Sequence, residues 1–472
     1  MPMAVLGRDI HVPLATGGAA PYAALDYAAS APVLQRVWDD VAAFAPYYGS
    51  VHRGAGHLSR VSTDLFEDSR DEVAAFLGCR EDDHVVFTRS TTDSLNLLAS
   101  ALPYGTRVFV FETEHHAALL PWQRRADSEV VYLTAPHSAR EAVETLDRVL
   151  AQMSRGPALV CVTGASNVTG ELWPVQELVE VACRHGARTV VDAAQMAPHR
   201  AVDLAGWGAD WVAFSGHKLY APFGAGVLAG RADWLQAAQP YLAGGGASRR
   251  VSRQADGRMA VEWHSDSARH EAGSPNVIGV YAMAAACRAL NTVGFERITA
   301  HEQHLTARVT SALKEIPQAR MLSLFGDGAP RIGVVSFHVD GWDSSRLASA
   351  LSAEYGIGVR DGLFCAHPLL RSLLGTGPSA EAECGALGSS PEGSSLNAVR
   401  VSFGVGTPVE HIDRFVDALR DLVRRGDDGR PATRAPWPRL PEPASTAHRV
   451  PASPCDHSPR TPLECPCRCH PW

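Results

Sequence analysis

Two lysines stand out among the basic residues of the sequence. The chain has 43 Lys and Arg residues, of which only Lys218 and Lys314 are lysines. A lysine with a lowered pKa can form an imine, whereas arginine stays protonated and cannot. Lys314 falls in an amphipathic helical pattern over 305–314, which is typical of a solvated helix face. Lys218 follows the apolar run Trp211–Phe214, and the end of a buried strand would lower its pKa by desolvation. Lys218 is therefore the predicted imine-forming amine.

An aspartate ends the preceding apolar run. Asp192 closes the run Thr189–Asp192 and stands 26 residues before Lys218, a spacing that allows one helix and one strand between them. A carboxylate at this point can pair with a protonated pyridine nitrogen and so make the ring an electron sink. An Asp in this place can also cap the next turn. Taken alone, Asp192 leaves both interpretations open.

Hydroxyl-bearing residues follow another apolar run. Val85–Thr88 leads into Arg89–Ser94 and then into the helical pattern Leu95–Ser100. The free N–H groups and hydroxyls at a helix N-terminus bind anions such as phosphate. The same pattern is common as an ordinary helix cap. Together with Asp192 and Lys218, it would supply the third contact for a phosphorylated aromatic ring.

A histidine pair follows the strand pattern Arg107–Phe111. His115 and His116 come after Glu114, and a histidine there can stack on an aromatic ring or act as an acid or base. The alternative is that the two histidines are ordinary surface residues without a role in chemistry. No carboxylate or cysteine stands at the spacing of a metal-ligand set, so we expect no metal site here.

These residues lie at the ends of apolar runs that alternate with helical patterns. Alternating strands and helices predict an α/β fold with a mostly parallel sheet covered on both faces. Ligands of such sheets bind beyond the carboxyl ends of the strands. The predicted strands are Val85–Thr88, Arg107–Phe111, Ala158–Val162, Thr189–Asp192 and Trp211–Phe214, and Val175–Ala182 is a predicted helix between them.

Composition narrows the class of protein. The chain has 472 residues, 46% of them hydrophobic and 20% charged, with a formal net charge of −8, which is typical of a soluble enzyme. This charge balance does not favour a nucleic-acid partner. No apolar run approaches the roughly 20 residues that a membrane helix needs, and Met1–Ile10 lacks the pattern of a signal peptide. The expected location is cytoplasmic.

The pattern along the chain predicts four segments. They are an N-terminal arm over 1–25, a large domain over 26–280, a small C-terminal α+β domain over 281–428 and a disordered tail over 429–472. The small domain contains predicted helices over 282–290 and 411–424 and a predicted strand over 331–337. A Gly-, Ser- and Pro-rich stretch over 374–396 is predicted to be a loop.

The tail is set apart by composition. It holds eleven prolines after residue 430 and four cysteines, Cys455, Cys465, Cys467 and Cys469. Such a segment cannot bury a core, so we expect disorder. A zinc or persulfide-relay role is the alternative, although the cysteine spacing only partly approaches that of a structural zinc site.

Over 24–425 the sequence resembles the class V aminotransferases, and within them the SUF-type cysteine desulfurases and selenocysteine lyases. The resemblance is carried by short ordered motifs, among them Leu-Asp-Tyr-Ala-Ala, Ser-Gly-His-Lys and His-Glu-Ala-Gly-Ser-Pro-Asn. The matching stretches are 25–29, 51–54, 87–92, 114–117, 192–195, 215–218, 270–276 and 400–402. The resemblance implies a fold type I transferase that uses pyridoxal 5'-phosphate (PLP), works as a homodimer and acts on a small amino acid.

The resemblance also implies roles around the cofactor ring. Lys218 would hold PLP as an imine, and Asp192 would pair with the ring nitrogen. Gln195 would bond the ring hydroxyl, and His115 would stack on the ring face.

Further roles fall on the phosphate and on the substrate. Thr91, Thr92, Ser215 and His217 would bind the phosphate, and Ser274 would reach the phosphate of the other subunit.

The substrate carboxylate would lie near Asn167. Arg400 would grip it with a bidentate fork, and Arg360 would stand close by.

One cysteine discriminates among reactions. Cys365 follows an Arg-x-Gly at the place where desulfurases carry their nucleophile, and would take the sulfur of cysteine as a persulfide, leaving alanine. A protein that accepts this sulfur would then be a partner. A reactive thiol needs exposure and a lowered pKa, for which Arg360 and His367 are the nearby cationic candidates. The alternative is a buried structural cysteine.

Three departures from the family pattern leave the reaction open. Leu363 and Phe364 stand where SUF-type enzymes usually have two histidines. The interval from Cys365 to Arg400 is 35 residues, longer than expected in that family, and residues 403–407 read Phe-Gly-Val-Gly-Thr in place of the usual Tyr-Asn-Thr ending. A C–S lyase, an aminotransferase or an epimerase without a role for Cys365 therefore remains as the alternative. A non-catalytic scaffold would be expected to lack one of the key residues.

Overall fold

A computed structural model describes residues 2–52, 54–375 and 398–427. The predicted tail over 429–472 lies outside these residues. The predicted loop over 374–396 lies almost entirely outside them.

The strands of the described residues follow one another in this order: β1 His11–Pro13, β2 Ala19–Pro21, β3 Ala23–Ala24, β4 Asp83–Thr88, β5 Arg107–Phe111, β6 Glu129–Leu133, β7 Ala158–Thr163, β8 Arg188–Asp192, β9 Trp211–Ser215, β10 Gly226–Arg231, β11 Ser248–Arg253, β12 Met259–Trp263, β13 Ala319–Met321, β14 Val334–Val339, β15 Ile357–Gly358, β16 Arg360–Gly362 and β17 Ala398–Ser402.

The helices are α1 Gln35–Phe44, α2 His57–Leu77, α3 Thr91–Ala101, α4 His116–Leu119, α5 Ala139–Ala151, α6 Val175–Arg184, α7 Leu204–Trp207, α8 Ala232–Ala237, α9 Val277–Val293, α10 Phe295–Lys314, α11 Ser344–Tyr355, α12 His367–Leu374 and α13 Val409–Arg425.

A seven-stranded sheet forms the centre of the larger part. Its order is β4-β10-β9-β8-β7-β5-β6, and β5 to β9 run parallel to one another. β10 runs antiparallel to both of its neighbours. Every residue of β7 and β9 is buried, as expected for strands covered by helices on both faces. The prediction of an α/β fold with a mostly parallel sheet is confirmed.

The register of this sheet brings two predicted site residues to one edge. β8 and β9 are parallel neighbours, with Asp192 opposite Ala213. Asp192 ends β8, and Lys218 follows three residues after Ser215 ends β9. Their side chains therefore meet beyond the carboxyl ends of adjacent strands, where ligands of such sheets bind.

A second sheet of four antiparallel strands has the order β13-β14-β17-β16. Helix α13 packs on it through Ile412, Phe415 and Leu419, whose spacing of three and four residues forms one apolar face. Each of the two sheets lies within one predicted domain, whose boundaries remain predictions.

The strand predicted over 331–337 begins later than expected. β14 starts at Val334, because the preceding residues bind elsewhere: Ile332 N donates to Gly170 O, and Arg331 Nη1 donates to Thr169 O. These bonds tie the start of the second sheet to the loop after β7.

The chain before β4 also connects the two sheets. β3 pairs in parallel with β15, and Leu25 N donates to Gly358 O. Asp26 then bridges to Ser402 at the end of β17. This path brings residues 26–30 to the edge of the large sheet.

The longest helices that the structure describes fall short of a membrane span. Among the described residues, no single helix is both long and apolar enough to cross a membrane. Val277–Val293 and Phe295–Lys314 together have the length and composition of a span, but the pair bends by 83° at the break.

Candidate active site

A cavity of about 460 Å³ opens beyond the carboxyl ends of β7, β8 and β9. Its wall contains every site residue expected from the sequence except Ser274. These residues are Thr91, Thr92, His115, Asn167, Asp192, Gln195, Ser215, His217, Lys218, Arg360, Cys365 and Arg400. The structure therefore places together residues that span more than 300 positions of the chain.

Lys218 supplies a nucleophilic amine at the cavity. It follows the strand end at Ser215 and the turn in which Lys218 N donates to Ser215 O. Burial, opposed by nearby Asp192, lowers the pKa of Lys218 to about 8. An amine with such a pKa is deprotonated far more readily than an exposed lysine, as imine formation requires.

Asp192 faces the cavity as a buried carboxylate. Its Oδ1 accepts a hydrogen bond from Ala194 N at 2.9 Å, which fixes the side chain at the strand end. Burial raises the pKa of Asp192. A cation placed against this carboxylate would offset the cost of its burial, which is what a protonated pyridine nitrogen would do.

His115 is the N-cap of α4 and lines the same cavity. Its Nδ1 accepts a hydrogen bond from Ala117 N at 3.0 Å. Burial, together with the nearby Lys218, lowers the pKa of His115 to about 3, so the ring is neutral at pH 7. Because Nδ1 acts as an acceptor, the proton of this neutral ring is assigned to Nε2.

Hydroxyls and backbone N–H groups gather at the start of α3. Ser90 caps this helix, and Ser215 Oγ bonds both Thr91 N and Thr91 Oγ1 at 2.7 Å. Thr92, one residue further on, is exposed toward the cavity. A Cβ on Gly226 would come within 2.7 Å of the Ser90 backbone, so glycine is needed for β10 to pass this close. This end of the cavity can bind an anion.

Two further side chains are oriented from residues 26–30. His217 Nδ1 and Ser30 Oγ form a hydrogen bond of 2.8 Å, and Gln195 Nε2 donates to Ala28 O at 2.8 Å. Both bonds hold cavity-lining side chains in defined rotamers.

The opposite end of the cavity contains a buried guanidinium. Arg400 Nη1 donates to Asn167 O, and Arg400 Nη2 donates to Asp26 Oδ1, both at 3.0 Å. Its Nε is buried and has no hydrogen-bond partner among the described residues. A buried N–H without an acceptor is unfavourable, so this edge suits a ligand carboxylate. Arg360 Nη1 lies 3.8 Å from the other Asp26 oxygen.

Cys365 is exposed and lines this end of the cavity. Its carbonyl accepts a hydrogen bond from His116 N at 2.8 Å. The rings of His116 and His367 are 4.5 Å apart. Burial lowers the pKa of His367, so this ring is neutral at pH 7. This lowering disfavours the cationic form considered for His367 beside Cys365, and Arg360 remains the other candidate.

Ser274 lies outside the cavity of its own chain. It is exposed, in the segment between β12 and α9. The role expected for it, at the phosphate of another subunit, remains a prediction.

Sequence reasoning assigned no role to three residues that the structure places at the site. Asp26 bonds Arg400, and Ser30 bonds His217. Glu114 is fully buried next to His115, with Oε1 accepting from Thr163 N at 3.1 Å. Burial and the nearby Asp192 raise the pKa of Glu114 well above its usual value. Asp26 and Glu114 lie in stretches that carry the family resemblance, 25–29 and 114–117, whereas Ser30 had no local signal.

The donor set fits the cofactor expected from the sequence. A ring with a basic nitrogen, an aldehyde and a phosphate needs a carboxylate, an amine and an anion site in one cavity. Asp192, Lys218 and the start of α3 supply these three, and the neutral His115 ring stands on the same wall.

Comparisons with known proteins agree with this geometry. The model of the family Aminotransferase class-V matches residues 23–415. A protein of Pectobacterium carotovorum named cysteine desulfurase is 34% identical over 410 residues, covering 86% of this chain and 94% of the relative. A probable cysteine desulfurase of Halobacterium salinarum is 36% identical over 368 residues, covering 76% of this chain and 86% of the relative.

Solved structures show the same likeness. The apo structure of a cysteine desulfurase from Thermococcus onnurineus matches with a TM-score of 0.74 and 31% identity, covering 86% of this chain and 95% of the other. The cysteine desulfurase CsdA from Escherichia coli, in an S-sulfonic acid form, matches with a TM-score of 0.72 and 29% identity, covering 86% and 96%. By sequence and by fold, this chain belongs to the class V aminotransferase family.

Proposed function

We propose that this protein is a PLP-dependent cysteine desulfurase that converts L-cysteine to L-alanine and carries the sulfur on Cys365 as a persulfide. The observation that supports it best is the position of Cys365. An exposed thiol shares one cavity with the amine of Lys218, the carboxylate of Asp192 and the free Nε of Arg400. The chain also matches relatives named cysteine desulfurase over almost their full length.

The cofactor would be held at three points. Lys218 would hold its aldehyde carbon, Asp192 would pair with its ring nitrogen, and the start of α3 with Ser215 and His217 would bind its phosphate. When bound, PLP supplies an electron sink that acidifies the Cα hydrogen of an amino acid and weakens the bond between Cβ and sulfur.

The chain's own residues would orient the substrate and move its proton. Arg400 offers Nε–H to the substrate carboxylate, while Asp26 and Asn167 fix the plane of the guanidinium. Lys218 Nζ, with its pKa lowered to about 8, takes the proton from Cα and can return it. His115 is neutral and cannot repel a cationic ring.

Sulfur transfer then follows by thiolate attack. The Sγ of Cys365 forms a bond to the substrate sulfur as the bond between Cβ and sulfur breaks, and the bonding pair stays with Cβ. Both sulfurs are oxidised to the persulfide level, and Cβ is reduced and takes a proton, which completes alanine. An external thiol or an acceptor protein then removes the outer sulfur and restores Cys365.

The experiment measures alanine and sulfide from L-cysteine with dithiothreitol present. Wild type should form both in equal amounts, and Cys365→Ser should lose both while keeping the visible band of bound PLP. Cys183→Ser is the matched control, because Cys183 is also exposed but lies on α6, away from the cavity. Alanine formed undiminished by Cys365→Ser would refute the persulfide role. If the wild-type protein shows the visible band of bound PLP but forms no alanine from L-cysteine, the protein would instead be assigned as an aminotransferase, epimerase or lyase.

The homodimer is part of this proposal. Ser274 is exposed and lies outside its own cavity, as expected if it serves a second subunit. In mixed dimers of Lys218→Ala and Ser274→Ala chains, one site would regain both native residues. Mixing should therefore restore tight PLP binding at one of the two sites of each mixed dimer. If mixing restores none, Ser274 does not act across subunits.

A further inference from the structure

The backbone at Cys365 has an unusual conformation. Phe364 and Cys365 both have left-handed φ angles, 50° and 53°, and they follow Gly362 at 109°. L-residues other than glycine rarely adopt this region, and two in succession are rarer still. Such a segment persists only where the surrounding contacts hold it.

Two contacts from the large sheet hold this segment. Asn167 Nδ2 donates to Phe364 O, and His116 N donates to Cys365 O, both at 2.8 Å. Successive carbonyls are thus fixed by two different loops, one after β7 and one after β5. Within the segment, Ala366 N donates to Leu363 O at 2.9 Å.

Asn167 also joins the segment to the carboxylate end of the cavity. Its side chain holds Phe364 O, and its main-chain oxygen accepts from Arg400 Nη1 at 3.0 Å. The Phe364 ring lies under the guanidinium, with Cζ of Arg400 4.9 Å from the ring centre. A primary amide has two N–H donors, so one remains for a ligand after Phe364 O is satisfied.

We propose that Asn167 is a positioning residue for sulfur transfer. Its amide keeps Phe364 and Cys365 in the left-handed conformation and so keeps the thiol at the cavity wall. This goes beyond the contact with the substrate carboxylate expected for it, and it rests on the proposed function of Cys365. Without the amide, the segment loses one of its two hydrogen bonds to the loops of the large sheet, keeps the bond from His116 N, and relaxes away from the substrate sulfur.

The first test needs no substrate. Hydrogen–deuterium exchange is measured on the PLP-loaded protein, on the peptide that contains Leu363–Ala366. Asn167→Ala should speed exchange of the Ala366 amide about tenfold, because the turn opens more often. Phe364→Leu is the matched control: it removes the ring under Arg400 but keeps the main-chain carbonyl, so exchange should stay within about twofold of wild type.

The second test separates positioning from carboxylate binding. With saturating L-cysteine, Asn167→Ala should slow the first turnover of persulfide by about tenfold or more, since small displacements of a reacting atom are costly. A weaker affinity for L-alanine together with unchanged exchange and unchanged persulfide formation would overturn the proposal, because it would mean a carboxylate role alone.

Two controls keep the outcome clear. If Asn167→Ala does not fold, by its circular dichroism spectrum, Asn167→Asp has nearly the same shape and lacks both donors, and the same results are expected of it. If wild type forms no alanine from cysteine, the proposed function fails. The exchange measurement still decides whether Asn167 holds the segment.

Discussion

Asp26 Oδ1 accepts a hydrogen bond from Arg400 Nη2 at 3.0 Å. The two residues are 374 positions apart, and Arg400 is almost completely buried on β17. Among the described residues, the Arg400 guanidinium forms an ion pair with Asp26 and a neutral hydrogen bond to Asn167 O. Together they fix the guanidinium at this end of the cavity, so the carboxylate site is assembled from β17 and from the segment that follows β3.

Asp26→Asn should weaken substrate binding more than catalysis. The amide keeps the shape but removes the charge that orients Arg400, so we expect KM for L-cysteine to rise about tenfold while kcat falls less. Thermal unfolding should show a loss of about 1 to 3 kcal/mol, because a buried cation loses its anionic partner. Asp361→Asn is the control, because it removes one negative charge from the cavity wall without touching the bond between Asp26 and Arg400. Equal effects of the two substitutions would contradict the assignment.

Ser30→Ala should weaken PLP binding. Ser30 Oγ bonds His217 Nδ1 at 2.8 Å, which orients the ring at the anion-binding end of the cavity. Titration of the apo protein with PLP should give a Kd about fivefold higher, the effect of losing one modest hydrogen bond. Ser30→Thr keeps the hydroxyl and should restore affinity. If the alanine and threonine variants bind PLP alike, the hydroxyl does not orient His217.

Local pattern was enough to predict the central residues of the site. Asp192 ends one apolar run and Lys218 closely follows another, and parallel strands bring their carboxyl ends to one edge, as the structure confirms for β8 and β9. The start of α3 is four residues earlier than the periodicity indicated, because Thr91 and its neighbours are polar and carry no apolar signal.

Contacts between distant segments could not be predicted in this way. Asp26 and Ser30 belong to a stretch whose pairing with β17 and with the turn at His217 depends on how the two sheets meet. The reversed direction of β10 also leaves no trace in its pattern, since Gly226–Ala229 is buried like the parallel strands of the same sheet. Side-chain periodicity reports burial but does not report the partner.

The stability that Glu114→Gln gains over wild type should increase as the pH rises. Burial and nearby Asp192 raise the pKa of Glu114 in the folded state above its unfolded value, so folding keeps a proton on this carboxyl. The stability that this group contributes is fully present below the unfolded pKa and is lost as the pH rises toward the folded pKa. An amide needs no proton. The Tm of Glu114→Gln should therefore match wild type near pH 4.5 and exceed it increasingly toward pH 8. A gap that narrows over this range would show that Glu114 is ionised in the fold.

Lys218→Met should show the opposite dependence on pH in the apo protein. Burial lowers the pKa of Lys218 from 10.5 in an exposed lysine to about 8. The unfolded chain therefore binds the Lys218 proton more tightly than the native state does. Below pH 8 this lowers the free energy of unfolding by about 3 kcal/mol, and the penalty fades as the pH rises toward 10.5. Methionine has a similar length and no charge, so the apo variant should unfold at a higher temperature than apo wild type at pH 7, and the difference should shrink by pH 10. Lys314→Met is the control, because that side chain is 62% exposed on α10 and should change little at either pH. A lower Tm for Lys218→Met at pH 7 would mean that the ion pairing of this lysine with Asp192 outweighs its burial. The site would then be assembled around a stable cation, and imine formation would first have to remove its proton.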